Sequence, residues 1–120
     1  MTTDVVRQEG DVSYAQGAVD LAHVNRLSSK EYSVAQHEAS AFLARVERYF
    51  DETYLHLDVK QLNERQRGVS KLCWKVLLVT NRGRYHTEQS GFGVEESLRH
   101  AFSALEEQVR SRLERLDSVY

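Results

Sequence analysis

The sequence predicts an α+β two-layer sandwich of order β-α-β-β-β-α, with both helices on one face of a four-stranded sheet. Residues 71–80 are rich in apolar and β-branched side chains, and residues 84–90 alternate as a second strand after a glycine-bearing turn at 81–83. Apolar residues then recur every three or four positions over residues 94–116, which is typical of a helix with one apolar face. Such a helix needs a sheet to cover, and the preceding hairpin supplies it.

The N-terminal part of the chain is predicted to be an extension followed by a short strand. Residues 1–17 are polar and acidic without hydrophobic periodicity, so we expect a flexible extension. Residues 18–24 alternate, with Val19 and Leu21 expected on one face. His23 is expected to be a strand-edge side chain rather than a ligand.

A first helix is expected after a polar connection. Ser33 with Gln36 three residues later fits a capping box, and Ser28 with Glu31 is the alternative start. The buried stripe of this helix is predicted to consist of Ala35, Ala39, Phe42, Val46, Tyr49 and Phe50, flanked by Leu43.

The remaining strands are predicted from alternating apolar and polar side chains. They cover residues 54–62, 71–80 and 84–90, with a polar loop over 63–70 and a sheet-breaking Gly-Phe-Gly run at 91–93. The side chains expected to face the helices are Leu55, Leu57, Val59, Leu72, Trp74, Val76, Leu78, Tyr85, Thr87 and Gln89. The side chains expected on the opposite, open face are Tyr54, His56, Asp58, Lys60, Lys71, Cys73, Lys75, Leu77, Val79, Arg84, His86 and Glu88.

Composition indicates a single globular domain. The chain has 120 residues, of which 41% are hydrophobic and 28% charged, enough to build a core without metals or disulfides. No apolar run approaches the ~20 residues of a membrane span, and no signal-peptide pattern is present. With a single cysteine, this predicts a cytoplasmic protein without a membrane partner. The domain is expected to span residues 18–117, followed by a tail at 118–120.

The sequence contains only incomplete versions of motifs for catalysis or metal binding. The run His86-Thr87-Glu88 matches part of a zinc deaminase signature, but its Cys-containing partner motif is missing and the chain has no proline. Cys73 has no His or Cys at ligand spacing, which favours a packing role. The run at 91–93 lacks the further glycine and the lysine of a phosphate loop. We therefore predict a non-enzymatic protein without cofactor, metal or small-molecule substrate.

Basic charge is concentrated in one segment of a chain whose net charge is only −2. Between residues 60 and 84, the basic side chains oppose Glu64 alone. Those expected on the open face are Lys60, Lys71, Lys75 and Arg84. Tyr54 and His56 share this face, and a basic face with aromatic groups is typical of RNA binding. Leu77 and Val79 on the same face indicate instead a protein interface, including a homodimer.

Three segments resemble the ribosome hibernation-promoting factor and ribosome-associated inhibitor A family in its short form. They are Ala-Arg-Val-Glu-Arg-Tyr-Phe-Asp at 44–51, Gly-Arg-Tyr-His-Thr-Glu-Gln-Ser-Gly at 83–91 and the amphipathic segment 94–116. The resemblance implies a β-α-β-β-β-α domain that binds the small ribosomal subunit through its rRNA. It also implies that the protein silences translation under stress, in starved or stationary cells.

The resemblance further implies which helix residues contact rRNA. The matching basic positions are Arg45, Arg48, Arg110, Arg112 and Arg115. The second helix departs from the usual acid, lysine and arginine of the family, since these positions hold Arg99, Ala104 and Glu107.

Three functional hypotheses follow. The first is an rRNA-contacting translation inhibitor, and the second is a protein-interaction or homodimer module of the same descent that has lost ribosome binding. The third is a double-stranded-RNA-binding relative. Glu95 and Glu96 count against the third, because that fold carries lysines at the start of its second helix.

Overall fold

The computed structural model describes residues 17–119, with the side chains of residues 18–115. The predicted α+β two-layer fold and its β-α-β-β-β-α order are confirmed. The elements are β1 Gly17–Ala22, α1 Ser29–Val46, β2 Thr53–Gln66, β3 Val69–Thr80, β4 Gly83–Phe92 and α2 Val94–Val119.

The four strands form one mixed sheet in the order β1-β2-β3-β4. β1 and β2 run parallel, and the other two pairs are antiparallel hairpins. Parallel neighbours need a crossover connection, which α1 supplies. α1 and α2 pack on each other and cover the same face of the sheet, so the other face stays open.

The core lies between the helices and the inner face of the sheet. Leu57, Trp74 and Leu78 are completely buried, which confirms the predicted strand parity. The rings of Phe42 and Phe102 stack with centroids 4.5 Å apart and join α1 to α2. Neither of the two α-helices within residues 17–119 combines the length and apolar composition needed to cross a membrane.

The predicted loop over residues 63–70 is wrong. β2 and β3 form one long hairpin that turns at Arg67 and Gly68, whose φ angles of 55° and 78° fit a type I′ turn. The register shifts between Gln61 and Arg65, as at a bulge. Side chains at this end are exposed whichever way they point, since no helix covers it. The polar residues of this segment therefore belong to a hairpin whose two faces are both exposed to solvent, not to a loop.

The Gly-Phe-Gly run ends the sheet later than predicted. Gly91 and Phe92 both pair with β3, and only Gly93, with φ 86°, makes the turn into α2. A Cβ on Gly91 would lie 3.0 Å from Ser97 Cα. Gly91 is therefore needed for the close approach of α2 to β4, not for a break in the strand.

Of the two predicted starts of α1, the structure shows the alternative one, with Ser28 as the N-cap. Ser28 Oγ accepts a hydrogen bond from the Glu31 backbone N–H at 3.1 Å, and the Ser28 N–H donates to Glu31 Oε1 at 2.8 Å. Ser33 is exposed inside the helix, so the predicted start there is wrong. Both capping boxes fit the sequence pattern, and only the position of the preceding chain decides between them.

The end of α1 contains another correction. α1 stops at Val46, and a short 3-10 turn over Glu47–Tyr49 follows. This turn rotates the chain so that Phe50 is buried, whereas Tyr49, predicted to be buried, is 38% exposed. The remaining predicted stripe residues of α1 are buried.

β1 is shifted towards the N-terminus relative to the prediction. Gly17 pairs with Thr53, and the strand ends at Ala22. His23 is not a strand residue, because its φ of 59° turns the chain out of the sheet. Residues 1–16 of the predicted extension lie outside the described residues. At the other end, α2 continues to Val119.

Candidate nucleic-acid interface

The open face of the sheet carries all four predicted strand cations. Lys60, Lys75 and Arg84 are exposed, and Lys71 is half-buried. Their neighbours along the strands point to the core, as the complete burial of Trp74 shows. Alternation in the sequence thus placed these cations on the correct face.

These four cations do not form a continuous patch. Lys75 lies opposite Asp58 of β2 and opposite Glu88 of β4. Lys71 Nζ forms an ion pair with Glu64 Oε1 at 2.8 Å. Positive and negative side chains therefore alternate across this part of the sheet.

Lys60 and Arg84 lie towards different ends of the open face. Lys60 is opposite Cys73, whereas Arg84 is opposite Val79. These partners are six residues apart on β3, which corresponds to about 20 Å at ~3.3 Å per residue. A ligand that contacts both cations must therefore extend along the sheet.

Asp20 of β1 orients the two aromatic groups of the open face. Its Oδ2 lies 2.7 Å from His56 Nδ1 and accepts a hydrogen bond from Tyr54 Oη at 3.2 Å. The rings of Tyr54 and His56 are stacked at 6.5 Å. Burial and the adjacent Asp20 carboxylate raise the pKa of Tyr54. The aromatic pair is thus held in place by an acid.

Leu77 and Val79, the predicted protein-interface residues, lie beside this aromatic pair. Leu77 is opposite His56 on β2 and His86 on β4. Val79 is opposite Tyr54. Both apolar side chains are half-buried by their neighbours on the sheet. The resulting apolar area is small and lies within polar surroundings.

The cations predicted on the first helix lie in the helix layer, away from the open face. Arg45 Nη2 donates to Glu106 Oε1 of α2 at 3.2 Å, so it bridges the two helices. Arg48 lies in the 3-10 turn rather than in α1, with its guanidinium carbon 5.0 Å from the centroid of the Tyr49 ring. The exposed Tyr49 ring and Arg48 together present a flat cationic surface.

The cations predicted on α2 differ in their surroundings. Arg110 donates to Glu107 Oε1 at 2.7 Å, and this hydrogen bond raises the pKa of Arg110. Arg115 is exposed near the end of the described side chains. Arg112 is half-buried, with its guanidinium carbon 4.2 Å from the Tyr85 ring centroid.

The two sets of predicted cations meet at one end of the molecule. Arg112 Nη1 donates to the carbonyl oxygen of Arg84 at 3.4 Å. Phe50 packs against Tyr85 with ring centroids 6.0 Å apart, and this places the turn that carries Arg48 at the same end. Arginines from β4, α2 and the 3-10 turn therefore converge where β4 begins.

Cys73 shows the environment of a packing thiol. Its Sγ donates a weak hydrogen bond to Glu88 Oε2 at 3.5 Å, and burial followed by the Glu88 carboxylate raises the pKa of the thiol. A raised thiol pKa disfavours the nucleophilic thiolate. Within residues 17–119, no group of three His, Cys, Asp or Glu side chains is placed to hold a metal ion.

Comparison with known families gives a match over most of the chain. The family model described as hibernation factor Hib, C-terminal domain, matches residues 18–118. The chain belongs to this hibernation-factor family. No curated protein matches the chain. The predicted relationship to hibernation-promoting factors is confirmed, and the match extends from β1 to α2.

This hibernation-factor domain departs from the expected pattern on α2. Ala104, where the resemblance implies a lysine, is half-buried and carries no charge. Glu107, where the resemblance implies an arginine, is exposed and pairs with Arg110. Two cations that the resemblance implies on α2 are therefore absent. Glu107 also pairs with Arg110, which is one of the residues predicted to contact rRNA.

The acids of the open face were not part of the predicted site, although Asp58 and Glu88 were expected on that face. Asp20, Asp58 and Glu88 come from three different strands, and each reaches a predicted site residue only across the sheet. Cross-strand register was the signal needed to find them, because residues opposite one another lie about 4.5–5.5 Å apart. Parity within a single strand does not contain that information.

Proposed function

We propose that this protein is a non-enzymatic, ribosome-binding translation inhibitor that contacts the rRNA of the small ribosomal subunit in the cytoplasm of stressed or stationary cells. The observation that carries the proposal is the family match over residues 18–118, which includes part or all of every helix and strand from β1 to α2. A hibernation factor acts by occupying the ribosome, so its chemistry is binding rather than catalysis.

Exposed cations support phosphate contacts. Among the described residues, Lys60, Lys75, Arg84 and Arg48 form no ion pair with another side chain, so their charges are available to a ligand. Each phosphate neutralised by such a cation releases counterions and strengthens binding at low salt. Arg112 is oriented by the Tyr85 ring and donates to the Arg84 carbonyl at the start of β4.

The acids on the same face provide selectivity. Asp58 and Glu88 flank Lys75 and would repel phosphates that arrive in the wrong register. A net charge of −2 likewise weakens non-specific attraction to polyanions. This arrangement suits a protein that binds one RNA surface and leaves other RNA unbound.

The test is binding of the purified full chain to small ribosomal subunits over a salt series. Log affinity should fall with log salt by ~0.7–0.9 for each phosphate contact. The double variant Lys71→Glu with Lys75→Glu should bind more weakly and show a flatter salt slope. Its free energy of unfolding should fall by about 1–2 kcal/mol, because Lys75→Glu puts a carboxylate opposite Asp58 and Glu88 and Lys71→Glu puts one beside Glu64. Circular dichroism verifies that the variant is folded.

Arg99→Glu with Lys30→Glu is the matched control, because it makes the same charge change at exposed positions outside the predicted set. This control should keep the wild-type slope. Absence of saturable wild-type binding even at low salt would exclude the proposal. Equal losses in the control and the test variant would show that only total charge matters.

A second candidate function is supported by the apolar side chains of the open face. Leu77 and Val79 lie beside Tyr54, which is 39% exposed. No helix covers this face of the sheet. An open apolar area of this kind fits a protein-interaction or homodimer module. Under this alternative, the domain keeps the fold of the family without binding ribosomes.

A further inference from the structure

The end of the β2–β3 hairpin extends past the part of the sheet that the helices cover. The backbone N–H of Gly93 donates to the Ser70 carbonyl at 3.0 Å, so the chain enters α2 beside this point of β3. All residues from 63 to 69 are exposed. A Cβ added to Gly68 would meet no atom within 4 Å. Residues 61–71 therefore form a two-stranded ribbon whose turn reaches into open space.

Hydrogen bonds between side chains hold this ribbon in a fixed shape. Arg65 Nη1 donates to Ser70 Oγ at 2.9 Å, and Arg65 Nη2 donates to the Gly68 carbonyl. Gln61 Nε2 donates to the same Ser70 hydroxyl at 2.8 Å. These hydrogen bonds connect β2 with β3 where no apolar core does so. The ribbon is thus ordered before it meets a partner, which lowers the entropic cost of binding.

Arg67 lies at the tip of the ribbon. Its φ of 55° is in the left-handed region, where type I′ turns favour Asn, Asp or Gly. An arginine pays a conformational cost here that Asn would avoid. Its exposed guanidinium forms no hydrogen bond or ion pair with another described residue. The tip therefore presents a free cation at a position that turn geometry alone does not favour.

The ribbon has a positive net charge and many polar groups. Between residues 61 and 71, three basic side chains and one acid give a net charge of +2. The acid, Glu64, is engaged by Lys71 with 2.8 Å between Oε1 and Nζ. Asn63 and Gln66 are exposed, and their amides can both donate and accept hydrogen bonds. Such a surface suits a polyanion that also carries hydroxyl groups.

The ribbon has none of the rings on which unpaired bases stack. Residues 61–71 contain no Phe, Tyr, Trp or His, the side chains that usually bind single-stranded RNA. Duplex RNA is recognised instead through phosphates and 2′-hydroxyls across its wide, shallow minor groove. A two-stranded ribbon is narrow enough to lie in a nucleic-acid groove. Shape and side chains therefore favour duplex RNA over a single strand.

We propose that the end of the β2–β3 hairpin binds a double-helical segment of RNA across its minor groove. Arg67 contacts a phosphate, and the amide of Gln66 contacts a 2′-hydroxyl. The inference rests on the proposed function, because small-subunit rRNA supplies the duplex. It differs from the double-stranded-RNA-binding hypothesis, since the start of α2 takes no part and Glu95 there is paired with Arg99.

The test measures binding of the full chain to a blunt-ended RNA duplex, to one of its strands alone and to small ribosomal subunits, each over a salt series. The wild type should bind the duplex more tightly than the single strand. Arg67→Asn should weaken duplex binding about tenfold and reduce the salt slope by about 0.9, the loss of one charge-assisted phosphate contact. It should weaken small-subunit binding as well. The substitution gives the turn its favoured Asn-Gly pair, so thermal unfolding should show no loss of stability.

Arg82→Asn is the matched control. Arg82 is an exposed arginine in the turn between β3 and β4, at the opposite end of the sheet from Arg67. Like Arg67, it is outside the set of cations predicted to contact rRNA. The control removes the same charge from the same kind of turn and should change duplex affinity less than twofold.

The outcomes separate this inference from the proposed function. Absence of duplex binding, tighter binding of the single strand, or equal effects of the two variants on the duplex would each overturn the inference. Small-subunit binding that Arg67→Asn leaves unchanged would also overturn it and would leave the proposed function intact. If Arg67→Asn weakens small-subunit binding but the duplex is not bound, the ribbon contacts ribosomal protein and the inference fails. Duplex binding that depends on Arg67, without small-subunit binding, would support the ribbon and exclude the proposed function.

Discussion

The indole of Trp74 links the sheet to the start of α2. Its Nε1–H donates to Ser97 Oγ at 2.8 Å, and that hydroxyl in turn donates to the Gly93 carbonyl at 2.6 Å. Trp74 and Ser97 are both completely buried. One buried hydroxyl therefore satisfies the indole and holds the turn from β4 into α2.

Removing this hydroxyl should destabilise the domain. Ser97→Ala leaves the indole N–H without its partner, and a buried unsatisfied donor costs about 1–3 kcal/mol. Trp74→Ala should cost about 3–5 kcal/mol, as for other buried aromatics. Urea unfolding measures both, with Ser103→Ala on the exposed side of α2 as the control. A Ser97→Ala variant as stable as the control would contradict the assigned role of the hydroxyl.

The thiol of Cys73 should react more slowly at neutral pH than an ordinary cysteine thiol. Burial and the Glu88 carboxylate raise its pKa, so the thiolate fraction at neutral pH is smaller than for an ordinary cysteine. Glu88→Gln removes the acid and should shift the alkylation profile to lower pH. The measurement is the alkylation rate against pH, compared with free cysteine. A wild-type profile at or below that of free cysteine would contradict the assigned environment.

Among the elements, strand parity was predictable and element ends were not. One face of β2, β3 and β4 is buried, so a period of two fixes which side chains point inward. The loop predicted over residues 63–70 is wrong because both faces of the hairpin end of β2 and β3 are exposed to solvent. The alternation of apolar and polar side chains is therefore lost there. At α1, Ser28 and Ser33 offer equivalent capping patterns, and tertiary structure decides between them.

The two capping patterns can be distinguished by substitution. Ser28→Ala removes the acceptor of the Glu31 N–H and should cost about 0.5–2 kcal/mol. Ser33→Ala should be neutral or slightly stabilising, because Ser33 is exposed inside the helix and alanine has the higher helix propensity. Thermal unfolding of the two variants gives the comparison. A larger loss for Ser33→Ala would place the start of α1 where the sequence first indicated.

At the scale of the whole molecule, the sequence predicted the cations of the candidate site but not their neighbours. Local parity identified Lys60 and Lys75 as outward side chains. Their relation to Asp58 and Glu88 depends on how strands pair, which a single strand does not encode. The contact between Arg112 and β4 depends in the same way on how α2 packs across the sheet.

The two candidate functions use neighbouring parts of the open face, so paired variants distinguish them. Leu77→Glu puts a carboxylate between His56 and His86 and interrupts the apolar area. The interaction-module hypothesis predicts that the wild type dimerises with rising concentration and that this variant stays monomeric. The ribosome hypothesis predicts a modest change in small-subunit affinity for Leu77→Glu and a large loss for Lys75→Glu.

Sedimentation velocity over a concentration series, combined with small-subunit binding of the same samples, measures both quantities. Ser40→Glu is the control, since it adds the same charge at an exposed position of α1, in the helix layer. Leu77 is half-buried, so Leu77→Glu should lower the free energy of unfolding by only about 1 kcal/mol. A wild type that remains monomeric at every concentration, with Leu77→Glu indistinguishable from Ser40→Glu, rules out the homodimer. Dimerisation that survives Leu77→Glu instead moves the interface away from the open face, because a buried carboxylate without a partner is too costly at an apolar contact.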